Sequence, residues 1–404
     1  MTSALRVAAV GITPPVFKAS GGISAGVQLT RHVARLCDAR FVMMSTEDSE
    51  TVEDGLTVIR RKPGNVLLPF AGLLPNQAVV AMWRLNLRAW LRRERPSLVH
   101  FHNPHPPGAL VQAANDCRAL GIPYVISTHG FVEFNDYAST IRGAAWMKPV
   151  YRRLVWQPVA RVARDAAKVL MLSPEEEPIL RAMGVVPTKL EVVSNGIDRY
   201  FLDTLSAEEK ARLTGRFNLP ADRARVFFVG NHTPNKGIDV LLRAMPLMKE
   251  KSMVVIGGAI RSAAEHQALL NATGVTKGDP RILFTDFISK EELRALYQTA
   301  DIFAFPSYAD TLPLVILEAM ASRLPVVSTR IGGIPYEVTP ETGALVDSGD
   351  AAALARELDV LCADPARRAR LGEAGRERVV ALFDWAKSAE KTVGIYRAIL
   401  GDHG

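Results

Sequence analysis

Two carboxylates flank a short apolar segment in the second half of the chain. Seven residues separate Asp310 from Glu318, and Pro313 lies between them. Proline is favoured in the first turn of a helix, so the pattern predicts a helix from Leu314 to Met320. That helix has almost no polar face, which predicts that it is buried. A buried carboxylate at Glu318 needs hydrogen-bond partners, which ribose or sugar hydroxyls would supply; a core glutamate paired with an arginine is the alternative.

Asp310 precedes this helix, and the backbone N–H groups at a helix N-terminus favour anions. Together, these features fit a ligand that carries hydroxyl and phosphate groups, such as a nucleotide-sugar. The loop 230–237 is a second phosphate-binding candidate, because it contains Lys236 between a predicted strand and a predicted helix. It lacks the end of a Walker A motif, and a lysine in a surface turn is the alternative. Gly21 and Gly22 follow the first predicted strand, where they would let a ligand approach the backbone or form a plain flexible turn.

Histidine is the third residue type here that could do chemistry. His100, His102 and His105 lie close together, and His129 directly follows the predicted strand 124–128. Because no cysteine or carboxylate lies near the first three, the sequence predicts no metal site there. Open α/β sheets bind ligands at the carboxyl ends of their strands, so His129 is a candidate site residue, with a structural histidine as the alternative.

Short apolar segments alternate with helical patterns along the whole chain, which predicts parallel α/β sheets. One series ends near residue 200, a second restarts at residue 225, and the candidate linker is 198–222. In the first series the predicted strands are 5–10, 41–45, 56–60, 98–101, 124–128, 168–173 and 190–194, and the predicted helices are 26–36, 76–93 and 109–119. In the second series the predicted strands are 225–230, 252–257, 281–284, 301–306, 325–329 and 343–346, and the predicted helices are 238–248, 291–299 and 314–320.

Length and composition indicate an ordinary globular protein. The chain has 404 residues, 48% hydrophobic and 23% charged, enough for two or three domains. Its three cysteines lie far apart with no CxxC motif, so neither a disulfide framework nor a metal site is expected. The apolar segments are shorter than the roughly 20 residues of a membrane span, and no signal peptide is recognisable. We therefore expect a cytoplasmic protein.

The net charge of +7 favours an anionic partner. Zinc-finger spacing, RNP-like aromatic motifs and a basic tail are all missing from the sequence, so nucleic acid is not expected. Basic residues concentrate in segments 83–95 and 142–164, where they alternate with aromatic residues. This mixture fits an anionic membrane surface, here the inner face of the plasma membrane, or a lipid-linked acceptor. A solvated basic helix face is the alternative.

Taken in order, the motifs resemble those of the retaining glycosyltransferases of family 4, which have the GT-B fold. The resemblance covers essentially the whole chain and rests on Ser194–Asp198, Lys236-Gly237, Phe305–Ser307, Asp310, Leu317–Met320, Leu324–Val327, Gly332–Glu337 and Thr342–Val346. It implies two Rossmann-like parallel-sheet domains that face each other across a cleft. The acceptor domain would span residues 1–200 and the nucleotide-sugar domain residues 201–384, and a C-terminal helix over 385–404 would cross back to the first domain.

The resemblance also implies roles for single residues. Lys236 would bind the donor diphosphate, Glu318 the ribose hydroxyls and Asp310 the transferred sugar. Gly21 and Gly22 would let the diphosphate approach from the other domain. The further donor-site positions are Asn231, Phe287, Thr311, Leu312 and Leu314. His129 would lie near the reacting centre, and the acceptor region would contain His102, Asn103 and His105.

The implied reaction moves a sugar from a UDP- or GDP-sugar to an acceptor hydroxyl, with retention at the anomeric carbon. The acceptor would be a glycan or lipid-linked, in cell-surface glycan or glycolipid assembly. No cofactor is expected, and the chain has no Asp-x-Asp motif for a metal-bridged diphosphate. A GT-B nucleotide-sugar epimerase or hydrolase, and a non-catalytic nucleotide-sugar-binding protein, are the alternatives.

Some positions depart from the family pattern and leave the donor sugar open. Asn231 stands where an arginine is usual, and Asp310 where a glutamate is usual. Asp286 and Arg323 stand where glycine is common.

Overall fold

The structure is a computed structural model that describes residues 5–14, 21–65, 79–80, 82–131, 149, 151–258, 263–275 and 278–401. The chain folds into two compact units. The first unit combines Met1–Asn195 with Trp385–Gly404, and the second unit is Gly196–Asp384.

Eight strands form one sheet in the described part of the first unit: β1 (Arg6–Gly11), β2 (Asp38–Met44), β3 (Ser49–Glu53), β4 (Leu56–Arg61), β5 (Leu98–His102), β6 (Tyr124–Ser127), β7 (Lys168–Met171) and β8 (Leu190–Val192). Their order in the sheet is β3-β4-β2-β1-β5-β6-β7-β8. Neighbouring strands are parallel, except that β3 pairs with β4 in the antiparallel direction. The helices of this stretch are α1 (Gly21–Val33), α2 (Arg88–Glu94), α3 (Pro107–Ala119), α4 (Gln157–Asp165) and α5 (Glu177–Ala182), and a π-helical turn (Arg152–Trp156) precedes α4.

The described strands of the second unit form a separate parallel sheet: β9 (Ala224–Val229), β10 (Ser252–Gly257), β11 (Ile282–Phe284), β12 (Ile302–Phe305), β13 (Val326–Thr329) and β14 (Gly343–Val346). Their order is β11-β10-β9-β12-β13-β14. The helices are α6 (Ala207–Thr214), α7 (Ile238–Ala244), α8 (Ala263–Thr273), α9 (Lys290–Thr299), α10 (Leu314–Ala321), α11 (Ile334–Glu337), α12 (Ala351–Ala363) and α13 (Pro365–Leu382). Strands β9 and β12 are buried on both faces, and their phenylalanine rings pack against each other in the core.

The last helix, α14 (Trp385–Leu400), belongs to the first unit. It packs against α1. The hydroxyl of Ser388 donates a hydrogen bond of 2.8 Å to the backbone carbonyl of Ser194. Tyr396 and Trp385 are buried, so this helix contributes side chains to the core of the first unit.

Each sheet has a point where the strand order reverses. In the first unit this point lies between β1 and β5, and in the second unit between β9 and β12. The connections that leave such a pair of strands diverge to opposite sides, which opens a crevice at their carboxyl ends where α/β proteins bind ligands. The loops that follow β1, β5, β9 and β12 are therefore the places to look for a site.

The helix predicted over residues 76–93 is only partly confirmed in its described part. Residues 79–80 and 88–93 are helical, but residues 82–87 are not, and α2 begins at Arg88. Trp83, Leu85 and Leu87 are buried while Arg84 and Asn86 are not, which is the alternation of an extended chain. Trp83 is buried in this extended segment, where the sequence pattern wrongly indicated a helix.

One further boundary and three further elements differ from the sequence expectations. Helix α1 begins at Gly21 instead of near Gly26, so Gly21 and Gly22 lie in its first turn and not in a preceding loop. Ser20, which precedes these glycines in the sequence, lies outside the described residues. Strand β3 was missed because it is an edge strand with mostly exposed side chains, so it lacks an apolar pattern. Helices α12 and α13 were also not predicted.

Candidate functional site

Lys236 and Asp310 meet at the point where the strand order of the second unit reverses. Lys236 lies in the loop after β9, and Asp310 lies in the loop after β12. The Nζ atom of Lys236 is 2.5 Å from Oδ2 of Asp310, and the two side chains are 21% and 12% exposed. The sequence predicted both as site residues, but it did not predict that they form an ion pair.

The two loops that carry this pair are joined by backbone contacts. The backbone N–H of Tyr308 and the hydroxyl of Ser307 each donate a 2.8 Å hydrogen bond to the carbonyl of Asn235. Gly237 has a φ of +70°, and a Cβ there would collide with the carbonyl oxygen of Pro306. Only glycine fits this close approach, so Gly237 lets the lysine loop lie directly on the aspartate loop.

A turn after β13 supports the aspartate loop from another side. Gly332 has a φ of +48°, and a Cβ there would collide with the carbonyl oxygen of Asp310. The N–H of Gly333 donates a 2.7 Å hydrogen bond to the carbonyl of Thr311. Thr311 and Leu312 are buried, so the segment that the family resemblance assigned to the donor site is held in place on both sides.

Helix α10 confirms the prediction of a helix with a buried apolar face, and it begins at Leu314. Glu318 lies on this helix and is half-buried, not fully buried as the sequence predicted. The hydroxyl of Tyr297 donates a 3.0 Å hydrogen bond to its Oε2 atom. Burial raises the pKa of Glu318 to about 7. The sequence did not indicate Tyr297, which lies on α9, because contacts between two helices are not visible in a local pattern.

Asn231 and Phe287 are the remaining predicted donor-site positions. Asn231 comes shortly after β9, in the loop that also carries Lys236, and is partly exposed. Phe287 follows β11 and is 78% exposed, and its carbonyl accepts a 3.0 Å hydrogen bond from the guanidinium of Arg216. Among the contacts of the described residues, none joins the ring of Phe287 to Lys236 or Asp310. An aromatic ring this exposed is available to contact a ligand.

Glu337 is a buried acid that the residue-level predictions missed. It lies at the end of α11 with no exposed surface, and neither carboxyl oxygen has a hydrogen-bond partner within the part of the chain that the structure describes. Burial, and secondarily the negative charge of Asp310, raises the pKa of Glu337 well above its ordinary value. The sequence showed only the motif that ends at this residue, and nothing in the motif indicated that the side chain turns inward.

Histidine rings line the corresponding edge of the first unit. His102 ends β5 and His129 follows β6, and their ring centroids are 5.5 Å apart. The ring of His100 lies 4.1 Å from that of His102. Burial lowers the pKa of His100 to about 3 and that of His129 to about 4, and it lowers the pKa of His102 well below its ordinary value. All three rings are therefore neutral at physiological pH.

Asn103 and His105 lie on the loop that follows β5. Asn103 has a φ of +73°, and its Oδ1 atom accepts a 3.2 Å hydrogen bond from the N–H of His105. The same oxygen lies 3.2 Å from the position of a Cβ on Gly130, so the structure brings Asn103 next to the turn that carries His129. Burial lowers the pKa of His105 to about 4. In the first turn of α1, the space around Gly21 is open.

The basic segments are only partly as expected. Trp83 and Trp90 are buried in the core, so the aromatic surface expected in segment 83–95 is wrong. In segment 142–164, residues 142–148 lie outside the described part of the chain. The described residues of this segment present exposed basic side chains beside an exposed Leu154 and a half-buried Trp156.

The described residues contain no group of three or more His, Cys, Asp or Glu side chains arranged to hold a metal ion. None of the described helices is both long enough and apolar enough to cross a membrane.

Two protein families match the chain in consecutive segments. The family described as "Glycosyltransferase Family 4" matches residues 21–200, and the family described as "Glycosyl transferases group 1" matches residues 209–378. The chain belongs to glycosyltransferase family 4. It is a glycosyltransferase, as the sequence motifs predicted.

Relatives and solved structures agree with this assignment. D-inositol 3-phosphate glycosyltransferase of Corynebacterium diphtheriae is 29% identical over 97% of this chain and 94% of its own length. Sucrose-phosphate synthase from Thermosynechococcus elongatus has a TM-score of 0.76 and 25% identity, and the match covers 98% of this chain and 99% of that one. Anabaena Alr3699/HepE in complex with UDP-glucose has a TM-score of 0.73 and 18% identity over 97% and 99%. The predicted α/β fold of the GT-B class is confirmed.

Proposed function

We propose that this glycosyltransferase moves a sugar from a UDP- or GDP-sugar to an acceptor hydroxyl with retention at the anomeric carbon. The observation that carries the donor assignment is the Lys236–Asp310 ion pair at the reversal point of the second sheet. A lysine supplies the positive charge that a diphosphate needs, and an aspartate accepts hydrogen bonds from sugar hydroxyls. The relative with bound UDP-glucose supports a nucleotide-sugar as the donor.

Donor binding divides this ion pair between two parts of the ligand. Lys236 turns to the diphosphate, and Asp310 turns to the hydroxyls of the transferred sugar. When the glycosidic bond to the diphosphate breaks, negative charge grows on the leaving oxygen. Lys236 and the N–H groups that begin α10 stabilise that charge, which is the kind of electrostatic effect that often dominates catalysis.

Glu318 takes the ribose of the donor in this proposal. One carboxyl oxygen is held by Tyr297, and the other makes no hydrogen bond within the described part of the chain. A ribose diol donates hydrogen bonds to such an oxygen, and these bonds are stronger when the carboxylate is ionised. Donor binding should therefore favour the charged form of Glu318.

His129 acts as a neutral group in this reaction. Burial lowers the pKa of the His129 ring to about 4, so the ring is uncharged at physiological pH. It supports the charge separation of the transition state through hydrogen bonds. In a same-face displacement the departing phosphate oxygen takes the proton of the acceptor hydroxyl, so no protein base is required.

Two acceptors follow from different observations. The name of the Corynebacterium relative makes D-inositol 3-phosphate the first soluble acceptor to test. The exposed face of Arg152–Trp156 and α4 supports a lipid-linked glycan on an anionic membrane: Leu154 is 68% exposed, and Arg152 lies over the ring of Trp156. A basic face with exposed apolar side chains binds anionic lipid surfaces.

The test of the proposal combines UDP-, GDP- and ADP-sugars with D-inositol 3-phosphate or a lipid-linked glycan, in the presence of EDTA. We expect one donor to give a new glycoside whose anomeric proton, read by NMR in the fresh product, keeps the configuration of the donor. An inverted product contradicts retention. Donor turnover without any acceptor indicates an epimerase or hydrolase, and tight donor binding without turnover indicates a non-catalytic binding protein.

The membrane part of the proposal has its own test. Co-sedimentation with vesicles of phosphatidylglycerol should be strong at low salt and weaken as salt rises, because surface charges are screened beyond ~8 Å at about 0.15 M. Arg153→Glu combined with Leu154→Ser should reduce binding. An absence of co-sedimentation at low salt would exclude this surface and leave the soluble acceptor.

A further inference from the structure

The three histidine rings of the first unit form a continuous stack, which we call the histidine stack: His100, His102 and His129. Ring centroids are 4.1 Å apart between the first two and 5.5 Å apart between the last two, with interplanar angles of 35° and 34°. All three side chains are buried. Neighbouring buried rings at these separations do not move independently, because protein interiors are close-packed. The position of His129 therefore depends on the two rings behind it.

Hydrogen bonds fix the far end of the stack. One nitrogen of His100, Nδ1, is 2.6 Å from the hydroxyl of Tyr396, and the other, Nε2, is 2.8 Å from the hydroxyl of Ser127. With both nitrogens bonded, the ring can neither rotate nor slide without losing a buried hydrogen bond. Tyr396 comes from α14, at the opposite end of the chain from β5.

The middle ring has no polar anchor among the described residues. Within that part of the chain neither nitrogen of His102 has a hydrogen-bond partner, and both nitrogens are buried. The described neighbours hold the ring by packing: a Cβ on Gly26 would lie 2.9 Å from its Cγ atom, and the ring of Phe41 lies 6.0 Å away. Since His102 cannot anchor itself, a displacement of His100 is passed on to it and then to His129.

We propose that Tyr396 is a positioning residue for His129, and that it acts through His100 and His102. This inference rests on the role of His129 in the proposed function. The C-terminal helix then does more than complete the core of the first unit. Its tyrosine hydroxyl sets the orientation of the ring that assists glycosyl transfer, although Tyr396 itself does not contact that ring.

The chain offers a matched control for this idea. Tyr124 is also a buried tyrosine of the first unit, and its hydroxyl donates a 3.0 Å hydrogen bond to the carbonyl of Val162. Its ring contacts Phe101, and no ring contact joins it to the histidine stack among the described residues. Tyr396→Phe and Tyr124→Phe therefore each delete one buried hydroxyl and one hydrogen bond, but only the first deletion touches the stack.

The first measurement is steady-state kinetics of both variants. Tyr396→Phe should lower kcat about tenfold with the donor KM unchanged, since small misplacements of a catalytic group reduce rates steeply. Tyr124→Phe should keep kcat within about twofold of the parent chain, although it loses a similar hydrogen bond. Equal kcat values for the two variants, at comparable melting temperatures, would overturn the inference.

The second measurement needs no substrate. In the full chain with labelled histidine, the ring resonances of His129 are assigned with His129→Gln. Tyr396→Phe and Ser127→Ala, which remove the two partners of His100, should both shift these resonances, and Tyr124→Phe should not. Unshifted His129 resonances in both variants would overturn the inference even if one variant folds poorly.

His129→Ala separates this inference from the proposed function. If that variant keeps the kcat of the parent chain, the catalytic role of His129 is wrong, and so is the positioning role that depends on it. If His129→Ala is impaired while Tyr396→Phe has the kcat and the His129 resonances of the parent chain, only the positioning role is wrong.

Discussion

The two units have the same kind of sheet edge but carry opposite chemistry on it. At the reversal point of the second sheet, a lysine and an aspartate form a partly exposed ion pair. At the reversal point of the first sheet, buried histidine rings line the edge, and burial lowers the pKa of each. The strand order decides where a site can form, while the side chains on the loops decide what it can do. One edge carries charged side chains, and the other carries neutral rings.

The support of the two edges differs as well. Backbone contacts hold the loops of the second unit, where Gly237 and Gly332 allow close approach. Side chains hold the edge of the first unit, where Tyr396 and Ser127 anchor His100. Single side-chain changes should therefore disturb the geometry of the first edge more than that of the second. In the second unit they should remove charge and leave the loops in place.

The largest expected effect on kcat is at the sheet edge of the first unit, which we call the neutral edge because its histidine rings are uncharged. His129→Ala should lower kcat by on the order of 10²–10⁴, the contribution typical of a positioned catalytic group, while leaving some activity. The donor KM should change little. Asn115→Ala, a change on α3 at an exposed position, serves as the control. If His129→Ala keeps the kcat of the parent chain, the neutral edge has no role in the reaction, and the comparison of the two edges does not extend to catalysis.

A change at the charged edge, the sheet edge of the second unit with the Lys236–Asp310 ion pair, should lower kcat nearly as strongly. Lys236→Ala removes the positive charge opposite the leaving diphosphate, so kcat should fall by roughly 10²–10³, as for the loss of one transition-state donor. Arg243→Ala breaks an exposed ion pair with Asp239 within the same helix, α7, and should leave kcat unchanged. If Lys236→Ala raises only KM, the lysine binds the ground state and transition state equally.

The pH dependence of donor binding sharpens the comparison. With a pKa of about 7, Glu318 is mostly protonated at pH 6 and mostly ionised at pH 8. If the donor prefers the ionised form, nucleotide-sugar affinity should rise up to about tenfold between these pH values. Glu318→Gln should abolish this dependence and weaken binding by roughly 1–3 kcal/mol. Calorimetry at both pH values checks this; an unchanged affinity in the folded variant would remove Glu318 from the ribose site.

A further effect concerns stability and not activity, and it involves Glu337. Its pKa is raised in the folded protein, so the folded state keeps a proton that the unfolded chain releases above the ordinary value of 4.5. Stability should therefore fall as pH rises from that value towards the raised one, by up to about 1.4 kcal/mol per pH unit. Denaturant unfolding between pH 5 and 8 should show a flatter dependence for Glu337→Gln. Glu208→Gln, at an exposed position, should keep the slope of the parent chain.

Much of the fold could be predicted from the sequence. Apolar strand patterns located most of the two sheets, and the order of motifs led to the family that the comparisons confirmed. The roles of the single residues stay predictions. Local patterns failed where burial alternated in an extended segment at 83–87, and where β3 lay exposed at an edge.

Two departures from the family pattern have a structural explanation. Asp286 and Arg323, which stand where glycine is common, have φ values of +54° and +62°. Glycine adopts this left-handed conformation freely, whereas other residues do so at a cost of roughly 1–2 kcal/mol. The sequence marked these positions as unusual, but only the backbone shows why glycine is preferred there.

The sequence by itself determined which residues could do chemistry, the α/β class and the apolar face of α10, because these follow from residue type and local spacing. Tertiary structure decided which of those residues meet. Lys236 pairs with Asp310 across 74 positions, and Tyr396 reaches His100 across 296. Such contacts depend on the order of strands in a sheet and on the return of the last helix to the first unit. Both are set by the packing of distant segments, which local hydrophobic periodicity does not record.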